Sequence, residues 1–150
     1  MTPKAPVLPY GLPIGLAMAR KVVAAAEAEA LRNGWAMVIC VTDSSGHVVV
    51  LERMDHAQYG SLEVARAKAE TAVNFKRPTK IFEDGIAGGG IGLRAMTLPG
   101  VCAVEGGVPL YQDGKIVGAI GVSGAKPIED GQVAEAGAAV LANDPPGAAR

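Results

Sequence analysis

Lys68 is the side chain whose position along the chain most suggests chemistry. The stretch from Ser61 to about Phe75 has the pattern of a helix, and Ser61 can cap its first turn. The apolar stripe of this helix consists of Leu62, Ala65, Ala69 and Ala72. Lys68 lies on the border of the stripe, about 80° from its centre. Its amine therefore either reaches solvent along the helix surface or projects into a pocket between helix and sheet.

The two histidines, His47 and His56, are the second candidates. They lie on different predicted elements, and their spacing does not match a zinc site. A single imidazole can still bind a metal or a haem iron. His56 is the better candidate because it lies in a loop next to Asp55, whereas His47 follows a turn glycine and is expected to face water. An exposed loop histidine without a ligand is the other interpretation of His56.

Composition argues against several classes of function. The formal net charge is −1 and basic residues are not clustered, which argues against nucleic-acid binding. No apolar run approaches the roughly 18 residues of a membrane span. The residues after Met1 lack an apolar signal core, so we expect a cytoplasmic protein. Cys40 and Cys102 lie in separate apolar stretches and are expected to be buried free thiols.

Hydrophobic periodicity and turn residues predict one domain over residues 1–150, with an extended arm over 1–11 and a frayed tail over 143–150. Helices are predicted from Pro13 to Asn33, over 61–75, briefly from Pro78, and over 128–141. Strands are predicted over 36–42, 47–53, 100–104, 108–112 and 116–122. Short hairpin connections favour an antiparallel sheet, so the expected fold class is a layered α+β domain with five strands.

A set of motifs resembles the GlcG/HbpS-like family, which includes haem-binding HbpS proteins and the C-terminal domain of PduO. The resemblance spans roughly residues 12–142 and rests on several stretches together. These stretches are residues 41–47, 53–57, 61–72, Pro78-Thr79, 106–109, Asp113-Gly114, 117–124 and Asp130. The resemblance implies a profilin-like α-β-α arrangement around a five-stranded antiparallel sheet. It also implies homo-oligomers, commonly dimers or larger even-numbered assemblies.

The resemblance also indicates which residues would form a site. His56 stands where a small residue, often glycine, is expected in the Met-Asp-x-Ala motif, which places a possible iron or other metal ligand in that loop. Gly106 and Gly107 would turn two backbone amides toward a cavity, and Pro109 would fix the start of the following strand. The ligand-binding residues are then expected to be Arg53, Met54, Ser61, Gly106, Gly107 and Pro109.

Three functions follow from these residues. The first is an oligomeric protein that binds haem or another small molecule near Met54, Lys68 and Gly107, with His56 as an axial ligand. The second is a catabolic isomerase, tautomerase or hydrolase acting on a small carboxylate. In that enzyme Lys68 would hold the anion or transfer a proton, Asp55 or His56 would be the partner acid or base, and the Gly106-Gly107 amides would stabilise an oxyanion. The third is a structural or chaperone-like subunit without a ligand.

The surplus of apolar residues predicts assembly. Mean hydropathy is +0.25 although only 4% of the residues are aromatic, which is more apolar character than a domain of this size needs for its own core. We expect a homo-oligomer whose interface uses apolar helical surface and the arm. The arm loses entropy on ordering, so it should be ordered only where it docks on a surface, such as that of a neighbouring subunit.

Overall fold

The structure is a computed structural model that describes residues 7–142. Four α-helices, one 3₁₀ helix and four strands occur in this part of the chain. The helices are α1 (Leu16–Arg32), α2 (Ser61–Phe75), α3 (Lys80–Ala87) and α4 (Pro127–Ala142), and the 3₁₀ helix is Gly90–Thr97. The strands are β1 (Val38–Asp43), β2 (Val48–Arg53), β3 (Gly107–Gln112) and β4 (Lys115–Ser123).

The strands form one antiparallel sheet in the order β2-β1-β4-β3. The turn between β3 and β4 is Asp113-Gly114, and both residues have positive φ (52° and 74°), as a type I′ turn requires. Consecutive residues of β1 face opposite sides of the sheet. Val38 and Cys40 pack with α2, whereas Ile39 and Val41 pack with α1 and α4.

Helices therefore cover both faces of the sheet. On one face α1 and α4 lie side by side over a core that includes Val22, Ala26, Val133 and Ala134. On the other face α2 packs small residues, among them Ala65, Ala69 and Ala72, against β1 and β4. The α+β class and the antiparallel sheet are confirmed, and the finer comparison with profilin stays a prediction.

The prediction of five strands is wrong for the described residues. Residues 100–104 are not a strand, because the backbone there turns to α2: the Cys102 amide donates to Thr71 Oγ1 (2.9 Å) rather than to a neighbouring strand. The apolar residues of this segment predict a strand, and they do not indicate that the Oγ1 atom of Thr71 accepts the backbone hydrogen bond.

The described part of the arm docks on its own chain. Gly11 N–H donates to Ile116 O (2.7 Å), and Ile116 N–H donates to Pro9 O (3.0 Å), which makes a single parallel bridge beside β4. The Tyr10 hydroxyl adds a bond to Val73 O (2.7 Å). The described part of the arm is thus ordered by docking, and the surface on which it docks belongs to the same chain. Ile14 N–H donates to Val117 O (2.9 Å), which keeps this part of the chain extended along β4. Helix α1 therefore begins at Leu16 and not near Pro13, the predicted start.

The remaining predictions about the chain concern its ends and membranes. The first residues of the arm and the predicted tail 143–150 lie outside the described residues. Among residues 7–142, no helix has the length and apolar character needed to cross a bilayer.

Candidate functional site

The loop that contains His56 follows directly from the end of β2. Met54 N–H donates to Met37 O (3.0 Å), and Ala57 N–H donates to Met54 O (3.2 Å), which closes a tight turn. His56 has φ 70° in this turn, a left-handed conformation that is unusual for a residue with a Cβ atom. The backbone here favours glycine, and this chain instead presents an exposed imidazole.

The loop forms one wall of an open cavity of about 540 Å³, which we call the His56 pocket. This volume lies within the roughly 300–1,000 Å³ of typical ligand sites. Four predicted site residues, Arg53 to His56, are among its lining. The pocket is also lined by residues of α1, of the segment before β1 and of β2, namely Glu27 and Leu31, then Gly34, Trp35 and Ala36, then Glu52. A second cavity of about 430 Å³ lies beside it and shares residues 53–56.

Glu27, Trp35 and Glu52 are residues that the sequence analysis missed. Glu52 is paired with Ile39 across the β1–β2 ladder, so its side chain is on the face that α1 covers. Its Oε2 atom is buried and has no hydrogen-bond partner among the described residues. Burial raises the pKa of the Glu52 carboxyl, and the charge of Glu27 adds to this rise. One feature of the sequence indicates Glu52: it is an acidic residue at an inward-facing position of an otherwise hydrophobic strand.

Arg53 does not neutralise these carboxylates. As the next residue in β2, it points to the opposite face of the sheet. Its guanidinium lies over the Tyr59 ring, 5.5 Å from the ring centroid. Arg53 therefore stands at the boundary between the His56 pocket and the neighbouring cavity.

Lys68 projects into the protein interior rather than to solvent, but its amine does not enter any of the described cavities, because it is bonded within the core. Lys68 is only 1% exposed, and its Nζ donates to Asp130 Oδ2 (2.9 Å) and to Val122 O (2.9 Å). The other Asp130 oxygen accepts from Ala125 N–H (2.9 Å), at the start of α4. Burial raises the pKa of the Asp130 carboxyl, and the Lys68 ammonium opposes that rise. This buried pair joins α2 to α4 at the end of β4.

Gly106 and Gly107 are needed for close packing around this pair. A Cβ atom on Gly106 would lie 2.6 Å from Val122 O and 2.8 Å from Lys68 Nζ, and its φ is 134°. A Cβ atom on Gly107 would lie 2.4 Å from Lys68 O. The Gly107 amide donates to Thr79 Oγ1 (2.9 Å), so this N–H is already occupied. Both glycines line a cavity of about 330 Å³, the Gly106 pocket, together with Lys80 and Glu105.

The other two predicted ligand residues lie elsewhere. Ser61 is buried, and its Oγ accepts from Ser123 Oγ (3.0 Å) and from Gln58 Nε2 (3.0 Å). Pro109 lies in the edge strand β3 and lines a cavity of about 360 Å³ beside α4. Proline is tolerated in an edge strand because its missing N–H is on the unpaired side.

The predicted catalytic residues Asp55, His56 and Lys68 do not line a common cavity among those described. Asp55 and His56 line the His56 pocket, whereas the Lys68 amine is sealed beneath Gly106. No group of three His, Cys, Asp or Glu side chains within residues 7–142 is arranged to hold a metal ion. Cys40 and Cys102 are free thiols, of which Cys40 is buried and Cys102 half-buried. Burial raises the pKa of the Cys40 thiol to about 12, so it is not a nucleophile near neutral pH.

The sequence and the fold of this chain are both similar to those of known proteins. A family described as "Haem degrading protein HbpS-like" matches residues 14–139. The chain belongs to the HbpS-like family. It is 42% identical to Protein GlcG of Escherichia coli strain K12 over 106 residues, which are 71% of this chain and 78% of GlcG.

Solved structures of HbpS-like proteins share the fold. A double mutant of Streptomyces reticuli HbpS superimposes with a TM-score of 0.79 at 33% identity, covering 94% of this chain and 97% of HbpS. A PduOC–haem complex superimposes with a TM-score of 0.77 at 28% identity, covering 87% of this chain and 96% of PduOC. Haem is therefore bound by at least one protein of this fold.

Proposed function

We propose that this protein binds haem, or a small molecule of comparable size, in the His56 pocket. The observation that carries the proposal is an imidazole held by a strained turn in the wall of a cavity of about 540 Å³. Membership in the HbpS-like family and the likeness to the PduOC–haem complex support the same conclusion.

The residues present fit a haem. Histidine is a common axial ligand of haem iron, and Met54 is a second soft donor in the same wall. Leu31 and Trp35 supply apolar and aromatic surface for the faces of a porphyrin. Arg53 stands between this pocket and the neighbouring cavity, so its guanidinium would meet a propionate that extended toward Tyr59. A bound haem would supply a redox-active iron, and the role of the chain would be to bind and orient it.

The described residues do not favour the enzyme acting on a carboxylate. That proposal needs a free cation near an acid or base, and the Lys68 amine is paired with Asp130 and lines no pocket with Asp55 or His56. The structural subunit without a ligand needs no cavity, whereas the His56 pocket has the volume of a typical ligand site.

Haem titration tests the proposal, with the Soret band as the readout. We expect the wild type to shift the spectrum at micromolar concentrations, and His56→Ala to weaken binding by at least about tenfold. His47→Ala is the matched control, because His47 is exposed and its Nδ1 is hydrogen-bonded to Ser45 Oγ. A free-haem spectrum with the wild type, or equal binding by His56→Ala, would refute the role of the pocket.

We also propose that the protein forms homo-oligomers, with a dimer as the basic unit. The support is an exposed apolar surface on α3 and the 3₁₀ helix, which pack against each other. Its members are Ile81, Ile91, Leu93, Met96 and Leu98. Such a patch is typical of an interface. Cytoplasmic location and a role in catabolism stay predictions.

Light scattering tests the assembly. We expect a mass of at least twice the 15.2 kDa of one chain, and a lower mass for Ile91→Asp with Met96→Asp. Ile128→Asp is the control, since Ile128 is equally exposed but lies on α4. A wild-type mass of one chain would refute the oligomer. The part of the arm in the interface stays a prediction: deletion of residues 1–10 should lower the mass, and intact assembly of the deletion variant would refute that part.

A further inference from the structure

We propose that Tyr59 is a positioning residue, which holds the Arg53 guanidinium where that group binds a carboxylate of the ligand. The site then selects an organic acid whose apolar body lies in the His56 pocket and whose carboxylate points into the neighbouring cavity of about 430 Å³, which we call the Tyr59 cavity. This deepens the proposed function, because it names the chemical class of the ligand. It rests on that function in one respect, namely that the His56 pocket admits a ligand.

The first support is the way the two cavities adjoin. Residues 53–56 line both of them. On one side of this shared wall the lining includes the apolar surface of Leu31 and Trp35, and on the other side it includes the polar groups of Gln58 and Tyr59. A molecule with an apolar body and one polar end therefore matches the two cavities together better than either cavity alone.

The second support is the charge of the two linings. Among the described residues that line either cavity, Arg53 is the single lysine or arginine, and the other formal charges belong to acids, namely Glu27, Glu52 and Asp55. The Arg53 guanidinium forms no ion pair or hydrogen bond with a described residue, whereas Arg32 pairs with a glutamate. Its five N–H donors are thus open to a ligand, and a carboxylate has one favourable place to lie.

The third support is the position of Tyr59. Its backbone is fixed at the start of α2, because Leu62 N–H donates to Tyr59 O (3.2 Å) and Ser61 N–H donates to Gln58 O (3.2 Å). Its side chain is nevertheless 79% exposed, and the Arg53 guanidinium lies over the ring, 5.5 Å from the centroid. A guanidinium on an aromatic face keeps its N–H edge free for a carboxylate, and it loses less conformational entropy when the carboxylate binds.

The test uses 3-phenylpropionate and 3-phenylpropionamide, which share an apolar body and differ in charge, in NMR titrations of the full chain. The Nε–H signal of Arg53 and the indole N–H signal of Trp35 are the readouts. We expect the carboxylate to bind at least about fivefold more tightly than the amide. Arg53→Met should remove this preference. Arg32→Met is the matched control, because Arg32 pairs with Glu29 and lines neither cavity.

Substitutions of Tyr59 test its positioning role. Tyr59→Leu should weaken binding of the carboxylate by about two- to fivefold, whereas Tyr59→Phe should restore it, because phenylalanine keeps the ring face on which the guanidinium lies. Tyr111→Leu is the control, since Tyr111 is also exposed but lines a different cavity. Unfolding curves of each variant establish that a loss of binding does not come from a loss of fold.

Three outcomes would overturn the inference: equal binding of the two probes, a preference that survives in Arg53→Met, or equal affinities of Tyr59→Leu and Tyr59→Phe. A haem titration in parallel separates the two claims. If the wild type binds haem but does not prefer the carboxylate probe, the inference fails and the haem proposal stands. If it prefers the carboxylate through Arg53 but does not bind haem, the inference stands and the haem part of the proposal fails. If it binds neither haem nor the probes, both fail.

Discussion

Lys68 Nζ lies 2.9 Å from Asp130 Oδ2, and both side chains are almost completely buried although they are 62 residues apart in the sequence. Removing one member leaves the other charge buried without a partner. We expect Asp130→Ala to lower the free energy of unfolding by about 3–5 kcal/mol. Urea unfolding measures this change.

The exposed pair Lys80–Asp84 is the control for that experiment, with a distance of 2.7 Å between Nζ and Oδ2. Asp84→Ala should change stability by less than about 1 kcal/mol. The double variant Lys68→Met with Asp130→Leu should be less destabilised than Asp130→Ala, because no unpaired charge remains. Equal stability of Asp130→Ala and the wild type would contradict a structural role for the pair.

Gly106 is predicted to be intolerant of a side chain. A Cβ atom there would meet Val122 O and Lys68 Nζ at under 3 Å, at a φ that L-residues rarely adopt. We expect Gly106→Ala to destabilise the protein by about 1–3 kcal/mol, measured by urea unfolding. Gly60→Ala should be neutral or slightly stabilising, since nothing lies within 4 Å and φ is −58°. Similar stabilities of the two variants would refute the packing argument.

His56 is held in a left-handed conformation, with φ 70°. Glycine adopts this conformation without a steric cost, although it loses more entropy on folding. We expect His56→Gly to raise the free energy of unfolding by about 0.5–1 kcal/mol while removing the proposed iron ligand. His47→Gly, where φ is not positive, should instead destabilise by about 0.5–1 kcal/mol. A destabilised His56→Gly would mean that the imidazole makes stabilising contacts in this turn.

Glu52 should make stability depend on pH. Its folded pKa is raised above the ordinary value of 4.5 by burial and by Glu27, so the folded state holds its proton more tightly than the unfolded state does. Its contribution to stability is therefore fully present below about pH 4.5 and is lost as the pH rises through the folded pKa. Glu52→Gln should show a smaller loss of stability as the pH rises above about 4.5, in thermal unfolding at a series of pH values. An unchanged pH profile would show that Glu52 ionises normally in the folded protein.

Much of the fold follows from local sequence patterns. The stripe of α2 and the Asp113-Gly114 turn are local signals, and the structure has both elements where they predict them. The segment 100–104 has the composition of a strand, but its backbone donor at Cys102 is taken by Thr71 of α2. That acceptor is 31 residues away, so no local pattern could reveal it.

The candidate site was harder to predict than the fold, because its residues come from elements that are distant in the sequence. The sequence placed Lys68 at the border of a stripe, but its burial depends on Asp130 and Val122, which come from distant elements. The His56 loop was found because its motif is contiguous in the chain. Glu27 and Glu52 were missed because the cavity that joins them exists only once α1 packs on the β1–β2 hairpin.

The NMR signal of Trp35 tests the central claim most directly, because Trp35 is the single tryptophan of the chain and lines the His56 pocket. Ferric haem is paramagnetic, and it broadens the resonances of nearby protons. On addition of ferric haem we expect the Trp35 indole N–H and the amides of residues 34–36 and 53–56 to lose intensity, while those of Gly106 and Gly107 keep theirs. Loss of the Gly106 and Gly107 signals with an unchanged Trp35 signal would place the ligand in the other pocket and contradict the account.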